Sequence, residues 1–264
     1  MKFTKMHGLG NDYLYVYGEV PGNAAELSKK LSERHLGAGS DGMIYISTSN
    51  IADFKMRIFN ADGSEAKMCG NGIRCVGKYV YDKGYTDKKF LSIETLSGVK
   101  YLTLQIVGGK VKTITVDMGQ AEAEKAMNLT VDGETVSLFP VSVGNPHAVI
   151  FVDDIEKAPL TKLGPIIEHH EAFPDGVNVE FVQVLGADKL RMRVWERGSG
   201  VTMACGTGAC ASVMAAIAAK FCHYDETVSV LLDGGTLKIQ IAPDNSVQMT
   251  GPAETVYEGE TEIC

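Results

Sequence analysis

Two cysteines sit in closely matched settings. Cys69 precedes Gly70-Asn71-Gly72 in MCGNGIRC, and Cys205 precedes Gly206-Thr207-Gly208 in ACGTGACA. A helical pattern follows each. After the first, Ile73, Val76, Gly77 and Val80 fall on one face; after the second, ACASVMAAIAAK is apolar almost all round. Each cysteine is therefore expected at a helix N-terminus, where first-turn N–H groups lack partners within the helix and the helix dipole adds positive potential. A thiolate is stabilised in such a place, so both thiols are expected to have a lowered pKa. A carboxylate is bound there too, and the glycines let a ligand approach the backbone. Two such sites facing one another would set a sulfur on each side of a carbon acid. One thiolate would take a proton from one face and the opposite thiol would return one to the other. Helix N–H groups would stabilise the charge building on the substrate carboxylate. The outcome of that chemistry is stereochemical inversion.

Other readings of the same residues exist. GTGACA fits the G-x-G-x-x-A dinucleotide fingerprint, with Asp225 near the acidic offset. Its sister GNGIRC fits less well, and dinucleotide binding has no use for a cysteine at both positions. Burial alone explains many cysteines; it is the reading taken here for Cys75, Cys210 and Cys222. With no CxxC pair and no histidine at ligand spacing beside any of the six cysteines, a metal site is not expected.

The elements that must position these thiols are written twice. MRIFNADGSEAKMC (56–69) and MRVWERGSGVTMAC (192–205) run from Met-Arg to Cys with the same spacing. GLGNDYLYVYG pairs with VGNPHAVIFVD, and AELSKKLSERHLGAGSDGMIYI with LTKLGPIIEHHEAFPDGVNVEFVQV. Each of the latter is a helix candidate, a Gly/Asp turn and an alternating strand. Each half then has a helix and a meander with a Gly-Gly turn, at 108–109 and 234–235. A period of this length is no solenoid. It predicts two homologous α/β domains, 1–118 and 119–264, joined near Gly119. Their strands alternate as half-buried antiparallel or mixed sheet, which fits a parallel wind less well.

Composition narrows the class further. A formal net charge of −8 and no run of Lys or Arg argue against nonspecific nucleic-acid binding. The longest nearly uncharged apolar run, 209–219, is too short for a bilayer span. The beginning MKFTKMHGLGND has no hydrophobic signal region. A cytoplasmic protein with reduced cysteines is expected.

The blocks KMHGLGNDY, NADGSEAKMCGNGIRC, VGNPHAV, GVNVEFVQV, ERGSGVTMACGTGACA and MTGPAE, in this order across essentially the whole chain, resemble the diaminopimelate epimerases. The resemblance implies an α+β (mixed α/β) fold of two pseudo-symmetric domains. Each would be a barrel-like mixed sheet around a central helix, with the active site in the cleft between them and the last dozen residues returning to the first domain. It implies interconversion of LL- and meso-diaminopimelate with no pyridoxal phosphate, metal or other cofactor, in lysine and cell-wall biosynthesis, and a homodimer. The implied catalytic pair is Cys69 and Cys205, with His147 and Glu196 tuning the thiols. The implied ligand-binding residues are Asn11, Asn60, Asn145 and Asn178, with Glu196 and Arg197. Gly70, Asn71, Gly206 and Thr207 are the backbone clamps.

Residue types agree with that substrate, which carries two ammonium and two carboxylate groups. Arg197 can grip the distal carboxylate bidentately, Glu196 can pair an ammonium, and an Asn can serve both. Taken singly, Asn11, Asn60 and Asn178 also suit turns, Glu196 and Arg197 a surface ion pair, and His147 a satisfied buried histidine. His169, His170 and His223 read as surface residues. One position departs from some family members: Gly42 stands in GSDGM where they carry Gln. A racemase of the same fold acting on another amino acid, such as histidine or proline, is the alternative. A non-catalytic binding or redox-sensing protein is a further one.

Overall fold

A computed structural model describes residues 1–263; Cys264, one of the six cysteines, lies outside them. The chain forms two compact units, Met1–Val116 with the chain from Gly251 onward, and Asp117–Thr250. The fold is sheet-dominated α+β, with four α-helices among the described residues.

In the first unit, β1 (Lys2–Gly8) and β2 (Asn11–Tyr17) form an antiparallel hairpin. Helix α1 (Ala24–Ser32) crosses over to β3 (Gly42–Ser47), which lies parallel to β2. β4 (Phe54–Asn60) returns antiparallel to β3, and the short β5 (Glu65–Ala66) pairs back onto β4. Then comes α2 (Gly70–Asp82). β6 (Phe90–Thr95) runs parallel to β4, and β7 (Gly98–Val107) and β8 (Lys110–Gln120) complete an antiparallel meander.

The second unit adds β9 (Glu122–Ala123) and β10 (Met127–Val131), then repeats the scheme. β11 (Glu134–Ser142) pairs antiparallel with β12 (Pro146–Phe151). Helix α3 (Leu160–Glu168) crosses to β13 (Asn178–Gly186), parallel to β12. β14 (Lys189–Glu196) is antiparallel to β13, with the short β15 (Gly200–Thr202) folded back on it. After α4 (Gly206–Ala218), β16 (Thr227–Leu232) lies parallel to β14. β17 (Gly235–Ile241) and β18 (Ser246–Gly251) close the meander. The last strand, β19 (Glu254–Glu260), pairs antiparallel with β1.

Sequence chemistry explains the packing. β3, GMIYIS, is buried at every position, as expected of a strand covered on both faces. Buried residues occupy almost every turn of α2 and of α4. Both helices approach the sheet so closely that their glycines have no room for a side chain. A Cβ on Gly72 would stand 2.7 Å from Ile44 Cδ1, and one on Gly77 2.9 Å from Leu102 Cδ2. Deleting the fully buried Ile73 side chain from this interface would cost about 2–5 kcal/mol. The peripheral helices close a separate layer in each unit. α1 buries Leu27 and Leu31 against Met43 and Tyr45; α3 buries Leu160, Leu163 and Ile167 against Val179 and Phe181. Gly119 lies within β8 at φ +88°, a local kink inside the strand rather than a loop.

Candidate functional site

Each cysteine is the N-cap of its buried helix. Cys69 has extended backbone (φ −141°, ψ 115°), and its Sγ accepts from the Gly72 amide at 3.3 Å. Cys205 (φ −112°, ψ 113°) accepts from the Gly208 amide, also at 3.3 Å. Sulfur thus stands where a Ser or Asp oxygen usually caps a helix. Neither helix has an acidic residue in its own first turn.

Around Cys69, which is partly exposed, the partners are neutral amides backed by ions. The thiol donates to Asn11 Oδ1 at 3.3 Å. Asn11 in turn donates from Nδ2 to Asp41 Oδ2 at 2.9 Å, and Asp41 also accepts from the Asp12 amide. Arg34 bridges Asp12 and Asp41, while Lys5 holds the other side of Asp12 at 2.8 Å. Burial pushes the Asp41 carboxyl up, and the Asn11 bond works against that shift. Burial, and next the nearby Cys69, push the Tyr13 hydroxyl up. At the start of α2, Gly70 and Asn71 are tied by the fully buried Arg74, which donates to the Gly70 carbonyl and to Asn71 Oδ1, each at 3.0 Å. Asn60 ends β4 opposite Gly42 and donates to Ser64 Oγ at 3.1 Å.

The space at Gly42 is closed. Its φ is +156°, and a Cβ there would lie 2.2 Å from the Phe59 carbonyl oxygen and 3.0 Å from Tyr13 Cε1. The absent Gln is therefore not a simple truncation. The backbone of this chain occupies the room a side chain would need.

Around Cys205, which is buried, the partners are ionisable. Thr207 Oγ1 lies 3.5 Å from the sulfur and accepts from Asn145 Nδ2 at 3.4 Å. Asn145 Oδ1 faces His147 Nε2 at 3.1 Å, and His147 Nδ1 meets Glu180 Oε1 at 2.7 Å. Glu196, half-buried, takes the Thr202 hydroxyl. Burial pushes the Glu196 carboxyl up; hydrogen bonds from Thr202 and Cys205 oppose this. The expected lowering of the Cys205 pKa does not hold. Burial pushes this thiol well up, and the Glu196 and Glu180 charges push it further, outweighing the Gly208 amide. One helix end is a partial charge whose influence fades within a turn, whereas burial and two carboxylates act together.

The turn after β14 is fixed from behind. Glu168 on α3 accepts from Trp195 Nε1 at 2.7 Å and from the Gly198 amide at 2.8 Å. Asn178, buried, bonds the Pro146 carbonyl and the Arg197 amide at 2.9 and 3.1 Å. Arg197 is exposed and donates to the Asp175 carbonyl. Glu196 makes its bond to Thr202 and Arg197 makes its bond to Asp175; they are neighbours in sequence with different partners.

The chain brings Asn11, Cys69, Gly70 and Asn71 together in the first unit, with Asn60 at the next strand end. In the second it groups Asn145, His147, Glu196, Cys205, Gly206 and Thr207, with Asn178 and Arg197 on the adjoining turn. Sequence reasoning missed Asp41 and Glu180. The second had a signal: a glutamate at the centre of NVEFV, where a strand buried on both faces should be apolar. Among the described residues, no group of three or more His, Cys, Asp or Glu has the arrangement to hold a metal ion, and no helix is long and apolar enough to cross a membrane.

Comparison with known proteins gives three findings. A family model described as diaminopimelate epimerase matches residues 3–124 and 139–256. The diaminopimelate epimerase of Acetivibrio thermocellus is 49% identical, covering 100% of this chain and 99% of the relative; that of Bacteroides thetaiotaomicron is 51% identical over 99% and 98%. Among solved structures, a phenazine biosynthesis protein of the PhzF family from Bacillus anthracis superposes with a TM-score of 0.78 at 15% identity over 100% and 99% of the two chains. A probable proline racemase from Agrobacterium radiobacter gives 0.74 at 15% identity over 100% and 93%. At such identities the structural likeness concerns the fold.

Proposed function

Since the chain belongs to the diaminopimelate epimerase family, we propose that it inverts one α-carbon of diaminopimelate, interconverting the LL and meso forms, with Cys69 and Cys205 as the two bases. The observation that carries this reading is the matched pair of sulfur N-caps, each on a helix whose first turn has no acid of its own. In one direction a thiolate accepts the α-proton, and the C–H electron pair passes into the carboxylate-stabilised carbanion. The second thiol then protonates that carbon from the opposite face and becomes the thiolate. The reverse reaction exchanges their roles. No electron is gained or lost, so the chemistry needs no redox partner.

The remaining residues take roles by their chemistry. Main-chain N–H groups at Gly70–Asn71 and Gly206–Thr207 hold the reacting carboxylate. Asn11 and Asn145 orient the groups next to the thiols. Asn60, Asn178 and Arg197 read the distal end, and Glu196 pairs an ammonium while it and His147 tune Cys205. A cytoplasmic homodimer serving lysine and cell-wall synthesis fits this activity.

The test is incubation of LL-diaminopimelate in D₂O. Deuterium should enter one α-carbon as inversion proceeds, and Cys69→Ala or Cys205→Ala should lower the rate by at least about 10²-fold. Chiral chromatography over a panel that includes histidine and proline checks the substrate. Inversion of another amino acid with diaminopimelate untouched would overturn the specificity, and ligand binding without deuterium entry would overturn catalysis.

A further inference from the structure

The buried carboxylate of Glu180 has no role in the reaction as stated, yet its surroundings are built around it. It projects from β13, two residues after the strand begins at Asn178, and is fully buried. A Cβ on Gly208 would stand 2.7 Å from Glu180 Oε1, so the second glycine after Cys205 clears the space the carboxylate occupies. Oε1 meets His147 Nδ1 at 2.7 Å, and Oε2 has no hydrogen-bond partner. Such a group is costly to bury unless its one bond is strong and compensates its charge.

The first unit provides an internal control. The strand registers set Gly42 opposite Asn60 in one unit, and Val179 opposite Trp195 in the other. The residue matching Glu180 is then Ile44, whose Cδ1 fills the same place, 2.7 Å from where a Cβ on Gly72 would stand. An apolar side chain suffices there to pack the helix start. The carboxylate in the second unit is therefore doing something that packing does not require.

Donor and acceptor counting identifies it. An ionised Glu180 can only accept, and Asn145 Oδ1 can only accept. His147 stands between them, with Nδ1 toward one and Nε2 toward the other. A ring that satisfies both carries a proton on each nitrogen. Its second N–H fixes the Asn145 amide with the carbonyl inward, which leaves Nδ2 to donate to Thr207 Oγ1 at 3.4 Å beside the Cys205 sulfur.

We propose that Glu180 is a positioning residue for Cys205: its buried carboxylate holds His147 as an imidazolium, which locks Asn145 and, through it, Thr207 against the thiol. The titratable groups facing the pair are Glu196 from β14 and Cys205 from the start of α4. The imidazolium offsets the Glu180 charge that bears on a sulfur which, in the two-thiol reading, alternates between thiol and thiolate. This deepens the two-thiol reading and rests on it.

The experiment has two arms. In the wild-type protein without substrate, ¹⁵N-edited NMR of the imidazoles should give one ring with both nitrogens protonated and protected from exchange through neutral pH; His147→Gln identifies it by loss of the signal. Glu180→Gln, which keeps the shape and removes the charge, should take one proton from that ring. It should lower kcat about 10- to 100-fold, the usual worth of a group that orients an active side chain from behind, with KM within about threefold. The pH–rate profile of the variant should also shift, which a loss of packing alone would not do. A wild-type His147 ring with a single protonated nitrogen overturns the proposal even where the variant does not fold. A folded Glu180→Gln with unchanged kcat and profile overturns it as well. The imidazole reading needs no substrate, so absence of inversion in the wild type would count against the epimerase reading alone.

Discussion

A sulfur at a helix start would ionise readily if the helix were its only neighbour. Cys205 shows how far that expectation bends: burial comes first, then Glu196 and Glu180 nearby, and together they push the thiol up. Glu196 stands in the same block as Cys205 and was expected to tune the thiols; Glu180 comes from another strand, so the lowered pKa expected from the glycine loop left its charge out. The positions of the two cysteines were legible because the chain repeats itself. The companions were not, because strand pairing places Glu180 and Asp41 there, and no motif does. Other buried thiols follow the same physics with a measurable result. Burial pushes Cys75 up to about 12 and Cys222 to about 11, against an ordinary value of 9.0. The folded chain keeps protons that the unfolded chain gives up above pH 9. Their contribution to stability is whole below about pH 9 and is lost as pH climbs through about 11 for Cys222 and about 12 for Cys75. Thermal melts from pH 8 to 11 should show the melting temperature falling across that window, and Cys222→Ala should flatten part of the fall. Coincident curves for the two proteins would contradict the assignment.

The elements were read with more success than the contacts that hold them. The crossover helices and the Gly108–Gly109 turn follow local chemistry, and the repeat made each half a check on the other; the expected alternation fails in β3 and β13, whose cores are buried on both faces, and the second turn is Asp233–Gly234, with Gly235 opening β17. Helix α2 is capped by the sulfur proposed to react. Cys69→Ser keeps an acceptor for the Gly72 amide, while Cys69→Ala removes it. Both variants should be inactive. Only the alanine should lose the stability of a missing cap, about 0.5–2 kcal/mol in urea unfolding. Equal loss in both would mean that the sulfur contributes nothing to holding the helix start. Gly42 belongs to this scale as well. Its departure from a common family residue looked like a lost contact in the sequence, and the backbone of β3 against β4 makes it an excluded one.

At the scale of the molecule, duplication has kept the topology and let the chemistry diverge. β2–β3–β4–α2–β6 and β12–β13–β14–α4–β16 share their pairings strand for strand. One carries Tyr13, Ile44 and Asn60 where the other carries His147, Glu180 and Glu196. If Cys69 and Cys205 serve one α-carbon from opposite sides, as proposed, their sulfurs must be able to come within disulfide reach when no substrate separates them. Mild peroxide should therefore inactivate the enzyme through a Cys69–Cys205 disulfide, with thiols supplying the electrons and peroxide reduced to water. Peptide mapping should find that crosslink and dithiothreitol should restore activity; full activity after peroxide without reductant would count against it. The pairing of β1 with β19 has a consequence of another kind. Thr261 donates its amide to the Met1 carbonyl at 2.9 Å, so residues 1 and 261 lie side by side just beyond the β1–β19 pairing. A short tether would join them, and the gene could then be cut open at the exposed Gly108–Gly109 turn with every strand keeping its neighbours. The order in which this architecture is synthesised is thus separable from the architecture itself.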